Sequence, residues 1–103
     1  MYLIISKMIK VFILWSENNE IVDQHGIERC LSILNSNSLI SAIKIDINNL
    51  NILNESHSTD NKILLIAGGE PYQLRLRMTG SGANAIRKFI SNGGGYIGIC
   101  AGA

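Results

Sequence analysis

Little in this sequence could serve as a covalent or electrostatic anchor. Its two cysteines, Cys30 and Cys100, lie far apart with no CxxC pair and no adjacent histidine. That excludes a disulfide framework and a structural zinc site, and it fits a reducing, cytoplasmic setting. Charge of one sign is also scarce: the formal net charge is +1 and the pI about 7.8. Phosphate backbones and anionic lipids both need a basic field, so neither nucleic acid nor membrane is an expected partner. No long hydrophobic run occurs. Met1 to Trp15 is apolar, but Lys7 and Lys10 interrupt it and no small-residue cleavage site follows, so it reads as neither a signal peptide nor a span. Met8 to Trp15 already spells a complete first strand, which makes Met8 an alternative start and Met1 to Lys7 an extension the fold does not need. Proline is nearly absent, with one residue, and 17% of the chain is charged against 47% hydrophobic. Such a composition buries a core rather than staying disordered.

What is present alternates between strand and helix patterns. Ile9 to Trp15 is a nearly continuous β-branched and aromatic run, the pattern of a strand buried on both faces of a parallel sheet. From Asp23 the period changes: Ile27, Cys30, Leu31 and Leu34 fall on one stripe of an amphipathic helix, which makes Cys30 a core residue. Ile40 to Ile47 alternates apolar and polar residues and reads as a strand nearer the edge. The Asn- and Ser-rich stretch from Asn48 to Asn61 reads as a surface loop with one short helical turn around Leu50 to Leu53. Lys62 to Ala67 is a third strand ending in Gly68-Gly69, and a long loop to Gly80 follows. Ser81 is the expected N-cap of a second helix with Ala83, Ile86, Phe89 and Ile90 facing inward, closed by Asn92-Gly93. Tyr96 to Ile99 is the fourth strand. This order predicts right-handed crossovers, a parallel sheet and helices on both faces.

Chemistry concentrates at the end of that fourth strand. Gly98-Ile99-Cys100-Ala101-Gly102 is the cysteine form of the Gly-x-nucleophile-x-Gly elbow, a strained turn that lifts one side chain above the sheet. Cys100 would be the nucleophile, and a helix N-terminus beyond the turn favours thiolate. The backbone N–H of Ala101 would supply one oxyanion donor, and Gly69 or Glu70 a second. Loops after parallel strands share one sheet edge, so the diglycine turn and the elbow can converge. The triple glycine Gly93 to Gly95 could suggest a phosphate cradle, but it reads better as a tight helix-to-strand connection. It precedes a strand and lacks the Lys-Ser/Thr that binds nucleotide and metal, so no cofactor and no metal is expected.

Gly68-Gly69-Glu70-Pro71-Tyr72, Gly80-Ser81-Gly82, Ile86-Arg87-Lys88-Phe89-Ile90 and Asn92-Gly93-Gly94-Gly95-Tyr96-Ile97-Gly98-Ile99-Cys100-Ala101-Gly102-Ala103 together resemble the biotin-protein ligase N-terminal domain and its stand-alone bacterial relatives, within the class I glutamine amidotransferase-like superfamily. The resemblance is detailed over residues 63 to 103 and one of pattern before that. It implies an α/β, flavodoxin-like three-layer sandwich with a parallel sheet, of which residues 1–103 would be the N-terminal portion, cut off after the nucleophile elbow. Cys100 then takes the nucleophile position and Gly69 lies near the oxyanion site. Biotin transfer is not implied, since ligation belongs to a separate domain with its own glycine- and arginine-rich loop. Glutamine amidotransferases complete their site with a downstream His and Glu and often follow the elbow with Gly-His-Gln; here Gly102-Ala103 stands instead, so this chain alone is expected to be inactive. In related folds a glutamate after the first strand hydrogen-bonds the cysteine, which nominates Glu17.

Blander roles compete with each of these. Glu17 would by default be a solvated loop acid, His25 a surface histidine near the start of the first helix, and His57 a solvated loop residue. Arg75, Arg77, Arg87 and Lys88 stand against the single acid Glu70 and could draw an anionic group, though a solvated face is the commoner outcome. Two functions follow. One is a cysteine-dependent hydrolase or amidotransferase-like enzyme acting on a small-molecule or peptide amide. The other is a non-catalytic binding or regulatory module that keeps the fold. Residues 1–103 alone should expose an apolar strand edge and be poorly soluble or molten, and the oligomeric state is not encoded in any pattern.

Overall fold

A computed structural model describes residues 9–18, 20–55, 60–71, 74 and 80–99. The β-branched run Ile9–Trp15 forms strand β1, and Val11, Phe12, Ile13 and Leu14 are each at most 4% exposed. Four consecutive buried residues point alternately to opposite faces, so β1 must be covered on both sides. It pairs in parallel with β2 (Ile40–Asp46) in the register Ile9↔Ile40 through Trp15↔Asp46. On its other side lies β3 (Lys62–Ile66), in the register Lys10↔Lys62 through Ile13↔Leu65. Strand β4 (Gly95–Gly98) pairs with β3 from Ile63↔Gly95 to Ile66↔Gly98. The sheet is therefore all parallel, in the order β2-β1-β3-β4, the arrangement of a flavodoxin-like α/β fold.

Helix α1 (Gln24–Asn35) makes the first crossover. Asp23 caps it by accepting a 3.0 Å hydrogen bond from the Gly26 N–H. Its expected stripe is the one that packs: Ile27 is 1% exposed, and Cys30, Leu31 and Leu34 lie partly buried against the core. Right-handed crossovers carry α1 to one face and the β2-to-β3 and β3-to-β4 connections to the other.

The helical turn expected around Leu50 to Leu53 is present but longer, and it takes in the first half of the segment read as a surface loop. Ile47–Asn54 is a 3-10 helix, η1, kinked at Asn49, with Ile47, Leu50 and Leu53 buried. Three residues per turn put positions i, i+3 and i+6 on one face, and the intervening asparagines hide that period in the sequence. The Asn54 Nδ2 donates to the Ala85 carbonyl at 2.9 Å, tying η1 to helix α2 (Ser81–Ser91).

Two expectations for α2 are corrected. Its N-cap is Gly80, at φ 63°, and Ser81 is the first helical residue, with no side-chain capping bond. The positive φ that starts the helix suits glycine and not serine. The inward face is centred on Ala85 and Phe89, four residues apart, while Ile90 is 44% exposed. Ile86 and Ile90 mark the margin of that stripe, and the margin is uncovered at the last turn. The C-terminus behaves as expected. Gly93, at φ 98°, donates to the Ile90 carbonyl and Gly94 to the Phe89 carbonyl, the paired bonds of a Schellman stop. The loop expected between Gly69 and Gly80 also contains helical backbone at Pro71 and Leu74; the Leu74 N–H donates to the Glu70 carbonyl at 3.0 Å, and Leu74 is 2% exposed.

Candidate functional site

Every strand ends on the same edge of a parallel sheet, so the loops after β1, β2, β3 and β4 share one rim. The connections from β1 and β3 depart in opposite directions, toward β2 and β4. Between these neighbouring strands lies the topological switch point, where α/β sheets hold their ligands. Residues 16–18 and 20–23 follow β1 on one side of that point, and residues 67–70 follow β3 on the other.

Backbone pairing draws the two sides together. The Asp23 N–H donates to the Gly68 carbonyl at 3.0 Å, and the Glu70 N–H donates to the Ile21 carbonyl at 3.1 Å, around an antiparallel Val22↔Gly69 bridge. Ile21 and Val22 are each 2% exposed, so this strap is anchored in the core. In such a bridge the two opposed residues are the non-hydrogen-bonded pair, and their own N–H and C=O groups point away from each other. Gly69 therefore keeps its N–H out of the strap, while Glu70 commits its N–H to it. Of the two residues nominated as second oxyanion donor, only Gly69 has its amide directed elsewhere. A Cβ at Gly69 would overlap the Ile21 carbonyl oxygen, so glycine is required by this close approach in any case.

A residue that the sequence does not single out braces the strap. The Gln24 Nε2 donates to the Ser16 carbonyl at 2.9 Å and to the Glu17 carbonyl at 3.0 Å, fastening the end of β1 to the first turn of α1. Ser16 is the one buried polar residue among the described ones, and its Oγ accepts from the Asn18 N–H at 3.1 Å. Glutamine at the start of a helix carries no motif, which is why only coordinates reveal it.

Glu17 is exposed and lines a cleft of about 280 Å³ with Ser16, Asn18, Ile21, Asp46, Ile47 and Asn48. That cleft lies between the ends of β1 and β2, whereas β4 lies about 10 Å from β1, two strand spacings away. His25 is exposed, as expected of a surface histidine, and shares an open depression with Glu20, Asp23, Gly69 and Glu70. Cys30 is a free thiol packed against the core. Cys100, Ala101, His57, Tyr72, Arg75 and Arg77 lie outside the described residues. Of the remaining cations in that segment, Arg87 is exposed and donates to the Asn84 Oδ1 at 2.8 Å, and Lys88 is exposed. Partial burial pushes the Tyr96 hydroxyl above its ordinary pKa. Among the described residues no group of three His, Cys, Asp or Glu could hold a metal ion, and no helix is long and apolar enough to cross a membrane.

A search of curated proteins found no match. The family model described as Biotin-protein ligase, N terminal, matches residues 17–103, a span that takes in the strap, the diglycine corner and the Gly-Ile-Cys-Ala-Gly sequence. With most of its length so matched and a parallel sheet in the order 2-1-3-4 beneath it, the chain belongs to the biotin-protein ligase N-terminal family.

Proposed function

We propose that the full-length protein is a cysteine-dependent hydrolase or amidotransferase-like enzyme, working in a reducing, cytoplasmic compartment on a small-molecule or peptide amide. The Cys100 thiolate attacks the carbonyl carbon, forming a C–S bond and moving the π electrons onto oxygen. The Gly69 and Ala101 N–H groups hold that oxyanion. Collapse breaks the C–N bond, the amine leaves with a proton, and water or an acceptor amine then cleaves the thioester. Glu17 is the carboxylate offered as the partner of the thiol, and to serve it must turn out of the β1/β2 cleft toward β3.

The single observation that carries this reading is the Val22↔Gly69 bridge, which binds the amide of Glu70 but turns that of Gly69 outward, on the rim where the chain leaves β4. The test is alkylation of the full-length protein by iodoacetamide between pH 6 and 9, followed by peptide mapping. Cys100 is expected to react faster than a model thiol below pH 8, with an apparent pKa below the free-cysteine value of about 8.5. A rate that tracks the model thiol across the whole range would leave the non-catalytic binding module as the function.

A further inference from the structure

Gln24 lies far in sequence from the diglycine corner, yet it governs the strap against which that corner is set. Its amide holds the carbonyls of Ser16 and Glu17, the first residues after β1. The strap in turn grips Gly68 and Glu70 on either side of Gly69, and the Ile21 carbonyl packs so closely on Gly69 that no side chain fits between. Gly69 is thus fixed from the β1 side by a chain of contacts that begins at Gln24. We infer that Gln24 is a positioning residue for the Gly69 amide: it sets the Ile21–Asp23 strap, and the strap holds that N–H turned away from Val22, as the second oxyanion donor that the cysteine reading requires. This rests on the cysteine-nucleophile reading above and assigns it a second element, the loop after β1. The amide of Gly69 is useful only if held where the oxyanion forms, and displacement of a reacting group by about 1 Å can cost on the order of 100-fold in rate.

The experiment separates acylation, which needs the oxyanion donors, from alkylation, which does not. Full-length wild-type protein is treated with p-nitrophenyl acetate and, separately, with iodoacetamide. In the first reaction Cys100 gains an acetyl thioester and the C–O bond breaks to release p-nitrophenolate; in the second its sulfur displaces iodide at a saturated carbon and no oxyanion forms. Gln24→Glu removes both N–H donors while placing a carboxylate in the first turn of α1, which the helix dipole favours, so the helix is retained. The acetylation rate is expected to fall about tenfold or more while the alkylation rate and melting temperature hold. Gln24→Lys, which restores N–H donors toward the same carbonyls, should recover part of the loss. If both rates fall together in Gln24→Glu, or neither moves, Gln24 does not position the amide. If wild-type Cys100 is acetylated no faster than a model thiol, the nucleophile reading itself fails, a different outcome seen before any variant is made.

Discussion

Two glycines show how a single missing side chain fixes this fold, and for different reasons. Gly69 yields to the Ile21 backbone, and Gly94 yields to the Phe89 ring, which a Cβ at position 94 would penetrate. Phe89 is fully buried and cannot swing aside. Gly94 also donates to the Phe89 carbonyl, so the residue that closes α2 is pressed against its own ring. Gly94→Ala should therefore cost about 1–3 kcal/mol, the usual range for overpacking a filled site. Urea denaturation of the variant beside wild type measures it, and a change below about 0.5 kcal/mol would mean that Phe89 has room to yield. The sequence marks Gly93 to Gly95 as a tight helix-to-strand connection, and that much is legible because Asn-Gly after an apolar stripe has one common use. It does not reveal which glycine is needed for φ and which for space. Gly93 takes the positive φ and Gly94 the close contact.

At the scale of elements, the two edges of the sheet are treated differently. The outer backbone of β2 is covered by a side chain that imitates another strand: the Asn35 Oδ1 accepts from the Ala42 N–H at 2.8 Å and its Nδ2 donates to the Ala42 carbonyl at 3.0 Å. Lys44 adds a charge on the same strand, 3.1 Å from Glu28 and 5.3 Å from the centre of the Trp15 ring. Edge lysines and capped backbone groups both discourage sheet extension. Asn35→Ala should lose about 1–2 kcal/mol, two part-buried hydrogen bonds' worth, and the Ala42 amide should exchange with solvent faster than in wild type. Unchanged exchange at Ala42 would show that the clamp is not formed in solution. The existence of the strands and the α1 stripe were both readable from apolar period alone. The failures came where another force overrides that period. Alternation puts Ile43 with Ile45 and Ile47, yet Ile43 is 39% exposed while Ala42 is buried, since an edge strand is covered over only part of its width. Only the middle of the 3-10 segment, the turn around Leu50 to Leu53, was legible, because asparagine signals a loop although Ile47, Leu50 and Leu53 keep the spacing that buries them.

For the molecule as a whole, the opposite edge decides behaviour. The strand β4 itself carries neither a charge nor a proline: its residues are Gly95, Tyr96, Ile97 and Gly98. Tyr96 is 40%, Ile97 44% and the following Ile99 46% exposed, and Ile90 at the end of α2 adds a fourth apolar residue at 44%. Tyr96 and Ile97 point to opposite faces of the strand, so both faces of the sheet are thinly covered there. A flat, uncharged, apolar edge is a template for pairing with another chain. The polypeptide of residues 1–103, prepared alone, is accordingly expected to self-associate and to bind the dye ANS, with a sedimentation profile that shifts to larger species as concentration rises. Placing one positive charge on the strand by Ile97→Lys should reduce both effects, because pairing would then bury an unpartnered ammonium. The Asn35→Ala variant loosens the other edge and should leave the β4-driven association in place. Were residues 1–103 to sediment as a concentration-independent monomer with a sharp cooperative melt and no dye binding, the exposed apolar edge would not control the solution state. The parallel core of β1, β2 and β3 would then suffice to hold the domain together.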